Sequence, residues 1–205
     1  MDSIPQFLIA APTSGSGKTT VSRGLMALFV KKGLKVQPFK CGPDYIDTKY
    51  HEAVCGRPSI NLDTFMASPE HVRSLYARYS ADADVAVVEG MMGMFDGYDR
   101  DRGSSAEIAR LLQLPVVLVV DAKSAAYSMA PLLSGFIHFR PEIRIAGVIF
   151  NRVGRPGIMK CFGKCVTRWA LPVWATFRRR KRWSRNRVIW GLISADPKVR
   201  MPSVL

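Results

Sequence analysis

The chain has 205 residues, 48% of them hydrophobic and 22% charged, which is enough apolar material for one α/β core, or one core and a tail. No run of roughly 18 apolar residues occurs and no arginine-bearing apolar leader opens the sequence, so neither a membrane span nor a secretory signal is expected. The four cysteines (Cys41, Cys55, Cys161, Cys165) show neither a disulfide framework nor metal-ligand spacing, which fits a reducing cytoplasm. The net charge of +14 would suggest a polyanion binder until it is located: 16 Lys/Arg face 15 Asp/Glu through Asn151, whereas 14 face a single Asp196 from Arg152 onward. The anomaly belongs to the last quarter alone.

In chain order, the apolar run Phe7-Leu-Ile-Ala-Ala11 predicts a strand, and Pro12 to Gly17 a glycine-rich turn. A helix begins near Lys18, with Val21, Leu25, Leu28 and Phe29 on one face and Lys31-Lys32-Gly33 at its end. A second strand covers Lys35–Lys40, and Cys41-Gly-Pro-Asp-Tyr-Ile-Asp47 reads as a turn-rich loop. Ser68-Pro69 opens a helix whose apolar side is Val72, Leu75 and Tyr76. Asp84–Glu89 is a buried strand ending in an acid, Ser104–Leu112 a helix, and Pro115–Asp121 and Ile145–Phe150 are β-branched strands.

Continuous apolar strands alternating with helices predict an α/β fold: a parallel sheet covered by helices on both faces. Ligands gather at the carboxyl ends of such strands. The polar segments stand at those ends: the loop from Pro12, Lys40 to Asp47, Glu89 to Asp96, Asp121, and Asn151. The segment Ala11-Pro-Thr-Ser-Gly-Ser-Gly-Lys-Thr-Thr20 carries the chemistry. A glycine-rich turn between strand and helix aims backbone N–H groups and the helix's positive end at a polyphosphate. Thr13, Ser14, Gly15, Ser16, Gly17, Lys18, Thr19 and Thr20 are thus expected to hold ATP. Lys18 reaches the β- and γ-phosphates, and the Thr19 hydroxyl ligates Mg²⁺. Pro12 stands where the usual pattern has its first glycine.

Several segments together resemble the cobyrinic acid a,c-diamide synthase family. They are this loop, Lys40-Cys-Gly-Pro-Asp-Tyr-Ile-Asp47, Gly56-Arg-Pro-Ser-Ile-Asn-Leu-Asp63, Val88-Glu-Gly-Met-Met-Gly-Met-Phe-Asp-Gly97, Leu114 to Lys123 and Ala146 to Val153. The resemblance implies a dethiobiotin-synthetase-like phosphate-loop domain over residues 1–153 that phosphorylates a corrinoid carboxylate (cobyrinate or hydrogenobyrinate) with ATP. Ammonia from glutamine then displaces phosphate. It further implies that Lys18, Lys40, Asp44 and Glu89 are catalytic, that Thr19, Asp44 and Glu89 hold Mg²⁺, and that Tyr45, Asp47 and Asp96 face the corrinoid. Asn151 would read the adenine edge. Plainer readings stay open: Asp44, Asp47 and Asp96 as turn formers, Asp121 as a helix cap, and His51 as a solvated or capping histidine.

Residues 154–205 depart from that family. They hold all four tryptophans (Trp169, Trp174, Trp183, Trp190) and Arg178-Arg-Arg-Lys-Arg182, and no histidine follows His138, so no amidotransferase triad is in sight. Shifting the reading frame by two bases from Gly157 permits an amphipathic helix through the degenerate code. The expectation is therefore an aberrant basic tail produced by a frameshift near Arg155, which leaves the sheet without a covering element. A basic nucleic-acid-binding module and a partition-type regulatory ATPase are the rivals. The second would need a lysine where Thr13 stands. A homo-oligomer is left open.

Overall fold

The computed structural model describes residues 4–154, 162, 166 and 171–178. Seven strands form one sheet in the order β3-β2-β4-β1-β5-β6-β7. They are β1 (Gln6–Ala10), β2 (Val36–Cys41), β3 (Ile60–Leu62), β4 (Val85–Glu89), β5 (Val116–Asp121), β6 (Ile145–Val153) and β7 (Val173–Arg178). Every pairing is parallel. The helices between them are α1 (Lys18–Lys31), α2 (Asp47–Cys55), α3 (Pro69–Ser80), α4 (Ser105–Leu111) and α5 (Met129–Phe139).

Alternation along each strand divides the core into two layers. Phe7, Ile9, Val85, Val87, Val117 and Val119 face the side packed by Val21, Leu25, Met26 and Phe29 of α1. Leu8, Ala10, Ala86, Val88, Leu118 and Val120 face the other side, with Val72 and Tyr76 of α3, Ile108 of α4 and Leu133 of α5. Burial on both faces is why these strands read as unbroken apolar runs. Each fully buried Val or Leu contributes about 1.5–3 kcal/mol. Two helix starts follow the sequence closely. Ser68 Oγ accepts from His71 N–H at 3.2 Å with Pro69 in the first turn, and Ser104 Oγ accepts from Ala106 and Glu107 N–H.

The strands expected at Phe7, Lys35, Asp84, Pro115 and Ile145 all form, but four elements were not expected. The segment 41–47 leads straight into α2; β3 has only three residues. Helix α5 carries Pro131, tolerated in its first turn because that N–H has no intrahelical partner.

Strand β7 corrects the expectation that the sheet ends uncovered at β6. It pairs Ala175 with Ile149 and Thr176 with Phe150, beyond the boundary drawn at residue 153. Phe162 is fully buried and stacks on Phe150 at 4.3 Å between ring centroids, and Val166 and Leu171 are buried beside it. The basic run past Arg178, Cys161, Cys165, Trp169, Trp183, Trp190 and the expected frameshift point at Arg155 lie outside the described residues.

Phe162→Ala is expected to destabilise the chain by about 3–5 kcal/mol, the usual cost of emptying a buried ring site, read as a lower urea midpoint. An unchanged midpoint would show that the Phe162–Phe150 stack adds nothing to the fold.

Candidate functional site

The carboxyl ends of β1, β2 and β4 surround a cleft of about 480 Å³ lined by residues of the phosphate-binding loop and by Lys40, Asp44, Asp47 and Glu89. The loop joins β1 to α1. Gly15 and Gly17 adopt φ of 73° and 98°, and a Cβ on Gly17 would collide with the Asn151 side chain, so two constraints require glycine there. Ser16 Oγ donates to the Thr13 carbonyl at 2.8 Å, which closes the turn. Unlike α3 and α4, helix α1 has no side-chain cap and no acid in its first turn. Its first N–H groups and positive end remain available to an anion. Lys18 Nζ donates to the Met92 carbonyl. Burial, followed by the nearby Lys40 charge, holds its pKa below the ordinary lysine value.

Glu89 is the hub. It ends β4 opposite Lys40 of β2, and it is 0% exposed. Its Oε1 accepts from Thr19 Oγ1 at 2.6 Å and from Lys40 Nζ at 3.2 Å, while Oε2 meets His51 Nε2 at 2.8 Å. Burial pushes the Glu89 pKa up. The His51 hydrogen bond, the Lys40 charge and the Thr19 hydroxyl outweigh it and hold the carboxyl at about 2. For Lys40, burial works against the charge, but Glu89 and Asp47 overcome it and the pKa is raised. Lys40 Nζ also reaches Asp47 Oδ2 at 2.9 Å and the Gly90 carbonyl at 3.3 Å, with Asp44 Oδ2 at 3.8 Å.

The structure therefore brings together Lys18, Thr19, Lys40, Asp47 and Glu89, with Asp44 at the margin. Asp44 Oδ1 accepts from the N–H groups of Ile46 and Asp47, both at 2.8 Å, so it also shapes the turn. Asp47, expected on the corrinoid side, lies 3.3 Å from Thr19 Oγ1. Tyr45 is 77% exposed and borders a second hollow of about 180 Å³ with Asn61, Asp63 and His71. Asp96 Oδ2 accepts from Gly93 N–H at 2.9 Å, closing the loop after β4. Asn151 Nδ2 donates to the Ser16 carbonyl at 2.8 Å, binding the end of β6 to the phosphate-binding loop. Asp121 accepts from Lys123 N–H and pairs with Arg152 at 2.6 Å. His51, read from sequence as a solvated or capping residue, is fully buried against Glu89. Its place on a face of α2 was hidden because α2 itself was not foreseen.

Thr19 Oγ1, Glu89 Oε1 and Asp47 Oδ2 form an all-oxygen set that suits a hard cation. Among the described residues no group of three or more His, Cys, Asp or Glu side chains could hold a metal by itself.

Residues 7–185 match the CobQ/CobB/MinD/ParA nucleotide binding domain. The chain belongs to that nucleotide-binding domain family. It is 46% identical over 178 residues to hydrogenobyrinate a,c-diamide synthase of Streptomyces coelicolor, covering 86% of this chain and 37% of the relative. It is 52% identical over 151 residues to cobyrinate a,c-diamide synthase of Listeria innocua (72% and 33%). Against hydrogenobyrinate a,c-diamide synthase of Brucella ovis it is 44% identical over 200 residues (97% and 46%), so similarity continues past residue 153. The chain thus spans between a third and a half of these relatives. Among solved structures, chloroplast FtsY from Physcomitrella patens superposes with a TM-score of 0.62 at 20% identity, covering 88% of this chain and 60% of that one. FlhF complexed with GTP/Mg(2+) gives 0.61 at 12% identity (86% and 66%). These two establish the phosphate-loop NTPase fold. No described helix is long and apolar enough to cross a membrane.

The Glu89 pKa fixes a pH dependence. Its folded value is depressed, so its contribution to stability is present above the ordinary carboxylate range and is lost as pH falls from about 4.5 toward about 2. In that window wild-type stability is expected to fall about 1.4 kcal/mol per pH unit more steeply than that of Glu89→Gln. Urea titrations at stepped pH would measure it. Equal slopes would show that Glu89 is not held ionised.

Proposed function

We propose that this chain is the nucleotide-binding and carboxylate-activating part of an ATP-dependent amide ligase that converts corrin-ring carboxylates to amides, the a,c-diamidation of cobyrinate or hydrogenobyrinate. The observation that carries the reading is the buried Lys40 ion-paired to Glu89 and Asp47 beside an uncapped phosphate-loop helix. The diamide synthase relatives support the substrate class, and the 97% match spans every residue of this cluster.

A carboxylate is a poor electrophile and needs a leaving group before it can accept nitrogen. In the proposed reaction one carboxylate oxygen attacks the γ-phosphorus of ATP, the bond to the β–γ bridging oxygen breaks, and ADP departs. Ammonia then attacks the carbonyl carbon of the acyl phosphate. The carbon–oxygen bond to phosphate breaks, nitrogen loses a proton, and an amide and inorganic phosphate result.

The residues take roles by their placement. Thr13 to Thr20 bind the phosphates, and Asn151 is assigned to the adenine edge. Lys18 exchanges the Met92 carbonyl for the β- and γ-phosphates. Lys40 screens the two anions that must meet, the substrate carboxylate and the γ-phosphate. Thr19 and Glu89 hold Mg²⁺, with Asp44 as the third oxygen; Asp47 has an equal claim from its contact with Thr19. When bound, that ion supplies charge neutralisation at the transferring phosphoryl group. Tyr45 before α2, Asp47 at its first residue and Asp96 in the loop after β4 are the residues assigned to the corrinoid in this reading. Ammonia, free or released from glutamine, is the nitrogen donor, and the setting is the cytoplasm. The nucleotide-binding unit extends at least to Arg178, which amends the division at residue 153.

ADP release is expected to require a corrinoid polycarboxylate and Mg²⁺ together, with amide product seen by mass spectrometry when ammonium is present. Lys18→Ala should lower turnover by about a hundredfold or more, in line with losing a charged phosphate contact. ADP release indifferent to the corrinoid would overturn the ligase reading and leave only a nucleotide hydrolase.

A further inference from the structure

The carboxylate of Glu89 has two oxygens with different tasks. Oε1 takes the Thr19 hydroxyl and the Lys40 ammonium at the floor of the cleft. Oε2 points away from them and is occupied by His51 Nε2 at 2.8 Å. His51 and Glu89 are both 0% exposed, so no water competes for either group. The second ring nitrogen of His51 lies 3.0 Å from Ser59 Oγ.

The hydrogen-bond inventory then sets the direction of every bond. An ionised carboxylate only accepts, so His51 Nε2 carries the hydrogen. In a neutral ring Nδ1 is left as an acceptor, and the Ser59 hydroxyl donates to it. Glu89 therefore selects the tautomer, Ser59 holds the other ring nitrogen in place, and His51 fixes the rotation of the Glu89 carboxylate about its terminal bond. That terminal bond is otherwise soft, with broad twofold preferences. Rotation would carry Oε1 out of reach of Thr19. Ser59 stands just before β3 and His51 lies in α2, so the arrangement ties two elements outside the phosphate-binding loop to an oxygen inside the cleft.

We propose that His51, seated by Ser59, is a positioning residue that presents Glu89 Oε1 to the magnesium ion of the bound nucleotide. This rests on the reading that Thr19 and Glu89 share that ion. Partners of metal-binding groups in this position hold the ligand's orientation, and their loss typically weakens metal affinity by about 10–100-fold. Neither nucleotide contact nor a phosphate-loop residue is altered by changing His51, so the effect should fall on magnesium and spare the nucleotide itself.

The test is calorimetric titration of ATP into the full chain, first with chelator and then over a series of Mg²⁺ concentrations. In His51→Ala the Mg²⁺ concentration for half-maximal enhancement of ATP affinity is expected to rise about 10–100-fold, with metal-free ATP affinity as in wild type. His51→Gln, whose amide N–H can still reach Glu89 Oε2, should recover most of the loss. Ser59→Ala should show a smaller shift of the same kind and decides the matter if His51→Ala does not fold. Combining His51→Ala with Glu89→Gln should add nothing to Glu89→Gln alone. A His51→Ala protein that loses metal-free ATP affinity in the same proportion would show general damage to the cleft and overturn the proposal. So would an unchanged Mg²⁺ response in Ser59→Ala or in a folded His51→Ala. A wild type whose ATP affinity ignores Mg²⁺ overturns the magnesium reading itself, and this inference with it.

Discussion

Everything at the carboxyl edge of the sheet is organised around one buried negative charge. Removing a carboxylate from water costs several kcal/mol, and Glu89 is wholly enclosed. The charge survives because its neighbours are arranged to receive it: Lys40 across the β2–β4 register, Thr19 from the first turn of α1, and His51 from α2. Three elements separated by tens of residues must converge within hydrogen-bond reach, or the charge becomes untenable. Slipping β2 against β4 by one residue would turn Lys40 to the other face of the sheet and leave Glu89 without its cation. The hub thus enforces register and topology, although an apolar replacement of the whole group could be just as stable. Its retention makes sense as chemistry rather than as cement.

The same cluster explains how a cleft built for anions can contain acids. The Lys40 charge disfavours the charged form of Lys18, and Glu89, Asp96 and Asp47 work against that repulsion. Carboxylates at this depth favour the charged form of both lysines, and the Met92 carbonyl provides Lys18 with a temporary acceptor. Incoming phosphates then exchange hydrogen bonds and need not create charge. A site whose polar groups are already oriented spends little on reorganisation at the moment of reaction.

Much of this was legible in the sequence, and the omissions have physical causes. β-Branched runs at Val116–Val120 and Val85–Val88 announce strands buried on both faces, and Ser68-Pro69 and Ser104 announce helix starts, because these signals are local. Glu89 stood out because an acid closing a buried strand has few innocent explanations. Helix α2 was missed since only Thr48 and His51 of its nine residues are buried, too few to give an amphipathic pattern. With it went His51, whose significance depends on a partner 38 residues away. Strand β7 was masked by its surroundings: Val173 to Phe177 is short, and the basic composition on its C-terminal side suggested an unfolded stretch. Composition averaged over fifty residues concealed a six-residue strand.

The position of Asn151 shows how the sheet order itself helps shape the nucleotide cleft. β6 is not adjacent to β1, since β5 lies between them. Yet Asn151, paired in register with Asp121 of β5, reaches past that strand to the Ser16 carbonyl. This contact presses on Gly17, where any side chain would meet the amide of Asn151 as well as an unfavourable backbone angle. Arg152 follows in a left-handed conformation, φ 59°, and pairs with Asp121 at 2.6 Å. A loop that is generic in its phosphate contacts is thereby held from the side opposite Glu89 by a residue more than a hundred positions downstream. Its geometry is a property of the complete sheet and not of the glycine pattern alone.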